Sequence, residues 1–213
     1  MTSTPINART RMAVEDRRRQ IAEKGAELVA RYGSYGVSMQ TVADAVGLTL
    51  PGLNHHVKSR DELLSLIIET FYDDFTDQES MTDQLRGLAD AGPDGRLSLP
   101  DCLRHIVEAN AGRPELVGLF IRLAVEAHDP AHPAHPYYRD RHQRLLSVMR
   151  ALPWRLPARF DDPAAFEDLL RTAFCAMDGT EVQGLTDPAE SMADLWARAE
   201  RTLFGGPEWD GLR

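Results

Sequence analysis

Cysteine is scarce in this sequence, whose 213 residues contain only Cys102 and Cys175. Two thiols cannot form a disulfide framework, and we expect both to be reduced, mostly buried packing residues rather than a disulfide pair. No apolar run approaches the ~18 residues needed to cross a bilayer. The polar opening MTSTPINARTRM also lacks the apolar core of a signal peptide. We therefore expect a cytoplasmic protein that makes no contact with a membrane.

Strand patterns and the signatures of common active sites are also missing from the sequence. It has no Ser/His/Asp arrangement in a sharp-turn motif, no phosphate loop and no metal signature, so no catalytic residue, metal ligand or cofactor is predicted. The segment HDPAHPAHPYYRDRH contains four histidines, namely His128, His132, His135 and His142. The interleaved prolines favour an extended loop over a metal site there.

Charge is distributed unevenly along the chain, whose formal net charge is -9. Residues 1–60 hold nine Lys and Arg against five Asp and Glu, a net of +4, whereas residues 61–213 hold fifteen against twenty-eight, a net of -13. A basic end on an acidic chain is typical of a module that faces phosphates. The N-terminal part is therefore a candidate for binding nucleic acid.

Four helices are predicted in this basic part. The first covers residues 17–32, where apolar residues recur at helical spacing until Gly33. The next three begin at side chains that can cap a first turn, namely Ser38, Thr49 and Ser59 with Glu62. The fourth helix carries an apolar stripe as far as Phe75, and we expect it to connect two domains.

The second and third helices are short and are separated by Gly47 and Leu48, as a helix-turn-helix requires. The second helix of such a pair leaves one face free to enter a major groove about 12 Å wide. His55 and His56 point about 100° apart on a helix, so we do not expect them to share a metal. We expect His56 to face a phosphate and His55 the backbone or base edges, with two solvated imidazoles as the alternative.

The stretch SMQTVADAVGLTLPGLNHHVKSRDELL resembles the DNA-binding motif of TetR-type (tetracycline-repressor-like) regulators. That pattern has T, [IV] and A near its start, a G-[VL]-[ST] turn, L-Y-x-H-F, and S-K-x-x-L-L. The matching residues are Thr41, Val42, Ala43, Gly47, Leu48, Thr49, Leu53, His56, Ser59, Leu63 and Leu64. The resemblance implies an all-α fold and a DNA-binding function.

This sequence departs from the family pattern at four positions. Asn54 stands where tyrosine is usual, Val57 where phenylalanine is usual, Arg60 where lysine is usual, and Pro51 where glycine is common. Asn54 can still donate to a phosphate or bond an adenine edge, but it offers no aromatic ring. Arg60 keeps the positive charge and enlarges the donor fork, so its expected phosphate role is retained.

The residues predicted to bind DNA are Arg17, Ser38, Gln40, Thr41, Thr49, Leu50, Pro51, Gly52, Asn54, His55, His56, Lys58 and Arg60. For the run Arg17, Arg18 and Arg19, phosphate anchoring and an ordinary solvated charge run both remain open. Arg9 and Arg11 lie in a basic arm that either reaches a minor groove or is disordered.

Five more helices are predicted beyond residue 80, at residues 98–111, 114–127, 136–152, 163–183 and 188–204. The last two begin at Asp162-Pro163 and Asp187-Pro188, where a capping residue precedes a proline. The expected fold is therefore all-α with about nine helices. Its predicted parts are a flexible basic arm (1–16), a helix-turn-helix domain (17–63, motif 38–57) and a helical effector-binding and dimerisation domain (64–213).

The helix at residues 114–127 is apolar nearly all round, so we expect it to be central. Arg122 and Glu126, four residues apart, either satisfy each other or place an arginine inside a cavity for an anionic or carbonyl-bearing effector. The residues predicted to line that cavity are Phe71, Phe75, Leu103, Ile106, Phe120, Leu123, Arg122, Glu126, Met149, Phe174 and Met177.

The family resemblance implies a homodimer in which the last two helices meet their two-fold copies. The predicted interface residues are Phe166, Leu170, Phe174, Met192, Leu195, Trp196 and Leu203, with an intramolecular core as the alternative. The implied function is a repressor that binds double-stranded DNA at a palindromic operator and is released by a small-molecule effector. The alternative is an all-helical small-molecule-binding enzyme that carries a vestigial helix-turn-helix.

Overall fold

The computed structural model describes residues 14–72 and 78–212, and ten α-helices lie within these ranges. The helices are α1 (Val14–Tyr32), α2 (Met39–Ala45), α3 (Leu50–Asn54), α4 (Arg60–Tyr72), α5 (Gln78–Leu88), α6 (Leu99–Ala111), α7 (Pro114–Glu126), α8 (His135–Ala151), α9 (Pro163–Thr186) and α10 (Met192–Phe204). Two-residue strands β1 (Leu97–Ser98) and β2 (Trp154–Arg155) pair in parallel. The expected all-α fold is confirmed.

The chain divides into two compact units, with the boundary after Thr70. The first unit is built on close packing between α1 and α4. A Cβ atom added at Gly25 of α1 would lie 2.9 Å from Leu63 Cδ1 of α4, which is closer than real side chains approach. Glycine at this position therefore allows the two helices to approach, and apolar side chains such as Ile21 and Leu64 are fully buried there.

The second unit is built around α9 and α10. Asp162 caps α9 through its side chain, as predicted, and Pro163 occupies the first turn. Near the other end of α9, a Cβ atom at Gly184 would lie 2.6 Å from Met192 Cγ, so glycine allows α10 to start close against α9. Trp196 of α10 is almost completely buried in the core of this unit.

Two helix predictions were wrong in detail. The segment after the fourth helix contains a separate helix, α5, that the apolar pattern did not predict, and Phe75 lies outside the described residues. The last helix begins at Met192 with Ser191 as its N-cap rather than at Asp187-Pro188, because Asp187 closes α9 instead. The Asp-Pro pair has the composition of a helix start but occupies the connection between helices.

Helix α7 is not central, contrary to expectation. Only Val117, Leu119 and Leu123 of this helix are buried, and Val125 is 68% exposed. The two cysteines also differ, since Cys102 is buried and Cys175 is exposed. No helix among the described residues combines the length and apolar character needed to span a membrane.

Candidate functional site

The turn between α2 and α3 is fixed by local hydrogen bonds that the sequence predicts. Ser38 Oγ accepts from Thr41 N at 3.1 Å at the start of α2, and Thr49 Oγ1 accepts from Gly52 N at 3.2 Å at the start of α3. Between the two helices, Gly47 adopts φ +67°, a left-handed conformation that favours glycine. The backbone N–H of Leu48 then donates to Ala43 O at 2.9 Å, which closes the turn.

Helix α3 has one buried face and one exposed face. Leu53 and the following Val57 are completely buried, so they hold the helix against its own unit. The exposed positions are Thr49, Pro51, Asn54 and His55, and Leu50 and Gly52 are half-buried. Two of the exposed side chains can read DNA directly, since threonine and asparagine both hydrogen-bond base edges or phosphates. The exposed face thus has the chemistry of a groove-reading surface.

A capping box connects α3 to α4. Ser59 Oγ accepts from Glu62 N at 3.1 Å, and Glu62 Oε2 accepts from Lys58 N at 2.8 Å. These two backbone donors are therefore occupied within the protein, so positioning of a phosphate here depends on side chains. Lys58 is exposed, and Arg60 is half-buried with its guanidinium 4.9 Å from the ring centre of Tyr35.

Tyr35 is a candidate contact residue that sequence reasoning missed. It lies in the turn between α1 and α2, and its side chain is 58% exposed beneath the Arg60 guanidinium. Stacking of this kind orients an arginine without neutralising it, so Arg60 keeps its charge for a phosphate. No periodic signal marks Tyr35 in the sequence; an aromatic residue between two glycines in a turn was the only hint.

The three arginines near the start of α1 do not behave alike. Arg18 Nη1 donates to the backbone carbonyl of His56 at 2.6 Å and lies 3.9 Å from Glu62 Oε1, so it supports the end of α3 from within the protein. Arg17 Nη1 bonds the side chain of Gln20 at 2.6 Å, and Arg19 is exposed. Arg9 and Arg11 lie outside the described residues.

His56, which the sequence predicts to face a phosphate, is half-buried. Partial burial lowers its pKa, and the positive charges of Arg17 and Arg18 and the neighbouring His55 lower it further. The lowered pKa favours the neutral imidazole, which can donate one N–H to a phosphate. His55 beside it is exposed.

The remaining predicted DNA-binding residues lie on the exposed side of α2. Ser38, Gln40 and Thr41 are all exposed, with Ser38 Oγ 2.8 Å from Thr41 Oγ1 and Gln40 Nε2 donating to Asp44 Oδ1 at 2.7 Å. These hydrogen bonds fix the side chains in place, and because Ser38 and Thr41 share one hydroxyl hydrogen bond, the other O–H remains able to donate to water or phosphate.

The second unit contains a cavity of about 390 Å³. This volume is within the range of about 300 to 1,000 Å³ typical of small-molecule sites. Its wall is formed by α5 to α9 together with Phe71, and most of the surface is apolar. Aromatic rings from Phe71, Phe120, Tyr137 and Phe174 contribute much of this wall.

Asn110, Asp178 and Glu181 are among the polar residues of the cavity wall. Asn110 Nδ2 of α6 donates to Glu181 Oε1 of α9 at 2.7 Å, and Glu181 is only 6% exposed. Burial raises the pKa of Glu181, and the negative charge of Asp178 raises it further, against the opposing Asn110 hydrogen bond and Arg141. Asp178 remains open to solvent along the cavity, but partial removal from water raises its pKa as well.

Five of the residues predicted to line an effector cavity do so, namely Phe71, Ile106, Phe120, Phe174 and Met177. Leu103, Leu123 and Met149 are instead completely buried packing residues. Arg122 is exposed outside the cavity, and Glu126 lies 3.7 Å from the Nε2 atom of buried His132. Arg122 therefore cannot anchor an effector in this cavity, and the cavity cations are Arg113 and Arg141 instead.

Most of the residues predicted to form a dimer interface are buried within the single chain. Phe166, Leu170, Phe174, Met192 and Trp196 are each less than 9% exposed, while Leu195 and Leu203 are half-buried. Side chains this inaccessible cannot supply most of a contact with a second copy. The apolar stripes of α9 and α10 thus form an intramolecular core. The prediction that these residues form the dimer interface was therefore wrong for the buried side chains.

The histidine-rich segment forms the connection into α8. His132 is buried and its Nδ1 accepts from Ala134 N at 3.2 Å, while the Nδ1 atom of His135 lies 2.8 Å from Ala127 O. The first contact lies within the loop, and the second connects the start of α8 to Ala127, the C-cap of α7. Among residues 14–72 and 78–212, no group of three His, Cys, Asp or Glu side chains is placed to hold a metal ion.

The arrangement defines a two-unit, all-α protein with a helix-turn-helix in one unit and a small-molecule-sized cavity in the other. Solved structures with the same fold include a TetR-like transcriptional regulator from Rhodococcus sp. RHA1, at a TM-score of 0.61 and 16% identity over 91% of this chain and 96% of that one. GusR of Salmonella enterica matches at a TM-score of 0.60 and 19% identity over 89% and 96% of the two chains. The fold is that of TetR-family regulators.

Sequence similarity is more local. The HTH-type transcriptional regulator PksA of Bacillus subtilis (strain 168) is 33% identical over 75 residues, or 35% of this chain. The match spans about a third of the length of that curated relative. No protein-family model matches the chain.

Proposed function

We propose that this protein is a DNA-binding transcriptional regulator that inserts α3 into the major groove. The observation that carries the proposal is the two-sided character of α3, with Leu53 buried behind it and Thr49, Asn54 and His55 exposed in front. Lys58 and Arg60 follow at the start of α4, where they would contact the phosphate backbone beside the groove. The similarity of part of the chain to PksA supports the same function.

The regulator is proposed to act as a homodimer on a palindromic operator. A two-fold dimer places two copies of α3 in successive major grooves, about 34 to 36 Å apart. Among the described residues of the second unit, the large apolar side chains that are exposed are Val125 of α7 and Val182 and Leu185 of α9. Leu185 Cδ1 lies 3.8 Å from the position of a Cβ atom at Gly118, so the exposed sides of α7 and α9 meet there. We propose this α7/α9 patch, rather than the buried stripes, as part of the dimer contact.

The cavity of the second unit is proposed to bind a small-molecule effector that releases a repressor from its operator. The supporting observations are its volume of about 390 Å³ and its apolar wall with a few convergent polar groups. An effector shifts the equilibrium only if it binds one conformation more tightly than the other. In this proposal, the DNA-bound and effector-bound conformations differ in the separation of the two copies of α3.

An enzyme that carries a vestigial helix-turn-helix is the alternative. It needs a reacting group within the cavity, where Asp178 and Glu181 are the acidic side chains. Turnover of a candidate substrate that survived removal of residues 1–70 would favour the enzyme. Turnover absent under those conditions, together with operator binding by the whole chain, would favour the regulator.

Footprinting tests the regulator directly. A DNA fragment from upstream of the protein's own gene is incubated with the whole chain at physiological salt, and a variant carrying both Thr49→Ala and Asn54→Ala is the control. We expect two protected patches on one face of the duplex, one helical turn apart, and no protection with the control variant. Equal protection by both proteins would show that the α3 face does not read the DNA.

A further inference from the structure

The charged groups on the cavity wall are unequally buried. Glu181 is the least exposed of them, at 6%, whereas Arg113 and His142 are exposed and Arg141 is half-buried. Asp178 lies one turn before Glu181 on α9, so the two carboxyl groups are neighbours on one helix face. The most enclosed charge in the cavity is therefore a carboxylate with a second carboxylate beside it.

The two carboxyl groups retain unused acceptor capacity. A carboxylate offers about four lone-pair sites, and Glu181 accepts one hydrogen bond, from Asn110 Nδ2 at 2.7 Å, among the described residues. Asp178 accepts no side-chain hydrogen bond and forms no ion pair within residues 14–72 and 78–212. Because buried acceptors are normally satisfied, the remaining lone pairs of Glu181 favour a ligand that donates hydrogen bonds, and the solvent-exposed carboxylate of Asp178 can add to that contact.

Arg141, whose charge acts on both carboxyl groups, is not their hydrogen-bond donor. Arg141 lies with its guanidinium carbon 4.7 Å from the ring centre of Phe120 and forms no ion pair with Asp178 or Glu181. Its charge lowers the pKa of both carboxyls, while desolvation, the larger influence, raises each. The carboxyl groups are thus incompletely compensated by the protein itself.

We propose that the cavity binds an organic cation, with a protonated amine or amidine donating to Glu181 and Asp178 and an apolar or aromatic body lying against Phe120 and Phe174. Aromatic rings attract a cationic group electrostatically as well as excluding water from an apolar body. An anionic effector that approached Asp178 and Glu181 would meet like charges, which repel. The proposal rests on the proposed function, in which this cavity receives the effector.

Three probes of one shape test the charge preference: 4-phenylbutylamine, 4-phenylbutanol and 4-phenylbutyrate. Their binding to the whole, DNA-free protein is measured by titration calorimetry at neutral pH. We expect the amine to bind about tenfold or more tightly than the alcohol, and the carboxylate to bind more weakly still. Equal binding of amine and alcohol, tightest binding of the carboxylate, or binding of none of the three would overturn the proposal.

Two amide variants locate the bound amine. Glu181→Gln keeps the shape and the acceptor for Asn110, and we expect it to weaken amine binding about tenfold while leaving the alcohol within about twofold. Asp178→Asn should weaken amine binding less, because that carboxyl is more open to solvent. The matched control is Asp168→Asn, an exposed carboxylate on the same helix that lies outside the cavity. If Glu181→Gln and Asp168→Asn had the same effect, the amine would not lie at Glu181.

The experiments distinguish failure of the proposed function from failure of this inference. Calorimetry is carried out without DNA, so amine binding that depends on Glu181 supports the cation site even if the amine leaves an operator complex intact. In that case effector-controlled release would be contradicted. Conversely, a protein that binds an operator but takes up no probe remains a DNA-binding regulator whose cavity does not select cations.

Discussion

Arg18 of α1 donates from Nη1 to the backbone carbonyl of His56, 2.6 Å away and 38 residues further along the chain. This hydrogen bond connects the first helix to the end of the helix that we propose to enter the major groove. His56 lies just beyond His55, the C-cap of α3, so Arg18 supplies a donor to the segment that leaves this helix. Arg18 thus has a structural role at the end of α3 and is not simply a solvated charge.

Arg18→Ala is expected to lower the free energy of unfolding of the N-terminal unit. A hydrogen bond from a charged donor contributes about 1.5 to 3 kcal/mol. Since the Arg18 side chain is 35% exposed, we expect a loss nearer about 1 kcal/mol. Urea denaturation measures the change, and Arg19→Ala, an exposed arginine on the same helix, is the control, with an expected change within about 0.5 kcal/mol. Equal losses in both variants would contradict the role of Arg18.

The local features of the DNA-reading unit could be predicted from sequence because each depends on a few adjacent residues. The capping roles of Ser38, Thr49 and Ser59 are present as predicted, whereas the Glu62 carboxylate accepts from Lys58 N, one residue before the predicted partner Ser59. The sequence pattern did not predict the partner of Arg18, because that hydrogen bond joins residues 38 positions apart. Long-range contacts of this kind depend on how α1 packs against the rest of the unit.

The second unit was less predictable for the same reason. An apolar stripe shows which face of a helix is buried, but it does not show whether a neighbouring helix of the same chain or a second copy covers that face. Trp196 illustrates the ambiguity, because its stripe suited a dimer interface yet the side chain is 1% exposed within one chain. Arg122 shows the opposite error. Its apolar neighbours in the sequence suggested that it lies in a cavity, but its side chain is exposed.

If the proposed dimer forms through the α7/α9 patch, Val182→Glu is expected to yield monomers that remain folded. The side chain is 43% exposed on the α7/α9 patch, so the new carboxylate is solvated in the monomer but is buried in the proposed dimer. Burying an unpaired charge is costly enough to prevent association. Light scattering reports the mass, and circular dichroism reports the helical content.

Trp196→Glu provides the contrast to this dimer variant. Because Trp196 is buried within one chain, we expect loss of folded protein rather than a folded monomer. Ser147→Glu, at an exposed position of α8 away from the patch, should leave both mass and helical content unchanged. A folded dimer for Val182→Glu would exclude this patch from the interface.

Glu181→Gln is expected to stabilise the effector-free protein in a pH-dependent way. The raised pKa of Glu181 means that the folded state binds its proton more tightly than the unfolded state. The wild type therefore loses stability relative to the variant as pH rises above the ordinary carboxyl pKa, and the loss levels off above the raised value.

Thermal unfolding from about pH 4 to about pH 8 tests this relationship, a span that starts near the ordinary glutamate pKa. The difference in Tm between Glu181→Gln and wild type should be small at the acid end and should grow toward neutral pH. Asp168→Asn again serves as the exposed control. A difference that was constant with pH would show that ionisation of Glu181 does not oppose folding.

Arg60 and Asn54 are expected to contribute to DNA binding in different ways. Arg60→Ala should weaken binding to every duplex alike and reduce the salt slope by about one unit for each phosphate that the variant no longer binds. Part of that effect comes from removal of the stacking on Tyr35, so Tyr35→Ala should weaken binding in the same uniform manner but less. Anisotropy titrations at several salt concentrations on two unrelated duplexes would show the pattern, and a sequence-dependent effect of Arg60→Ala would contradict it.

Binding-site selection from a random duplex library, carried out in parallel with the wild type and Asn54→Ala, tests the central claim most directly. Asn54 is exposed on the groove-facing side of α3, and a bidentate contact to a base is worth about 1 to 3 kcal/mol of discrimination. The wild type should select a two-fold symmetric sequence whose half-site centres are about one helical turn apart. Asn54→Ala should retain the symmetry but lose the preference at one base pair of each half-site. Selection of no sequence by the wild type, or of the same sequence with the same preferences by both proteins, would contradict DNA reading by α3.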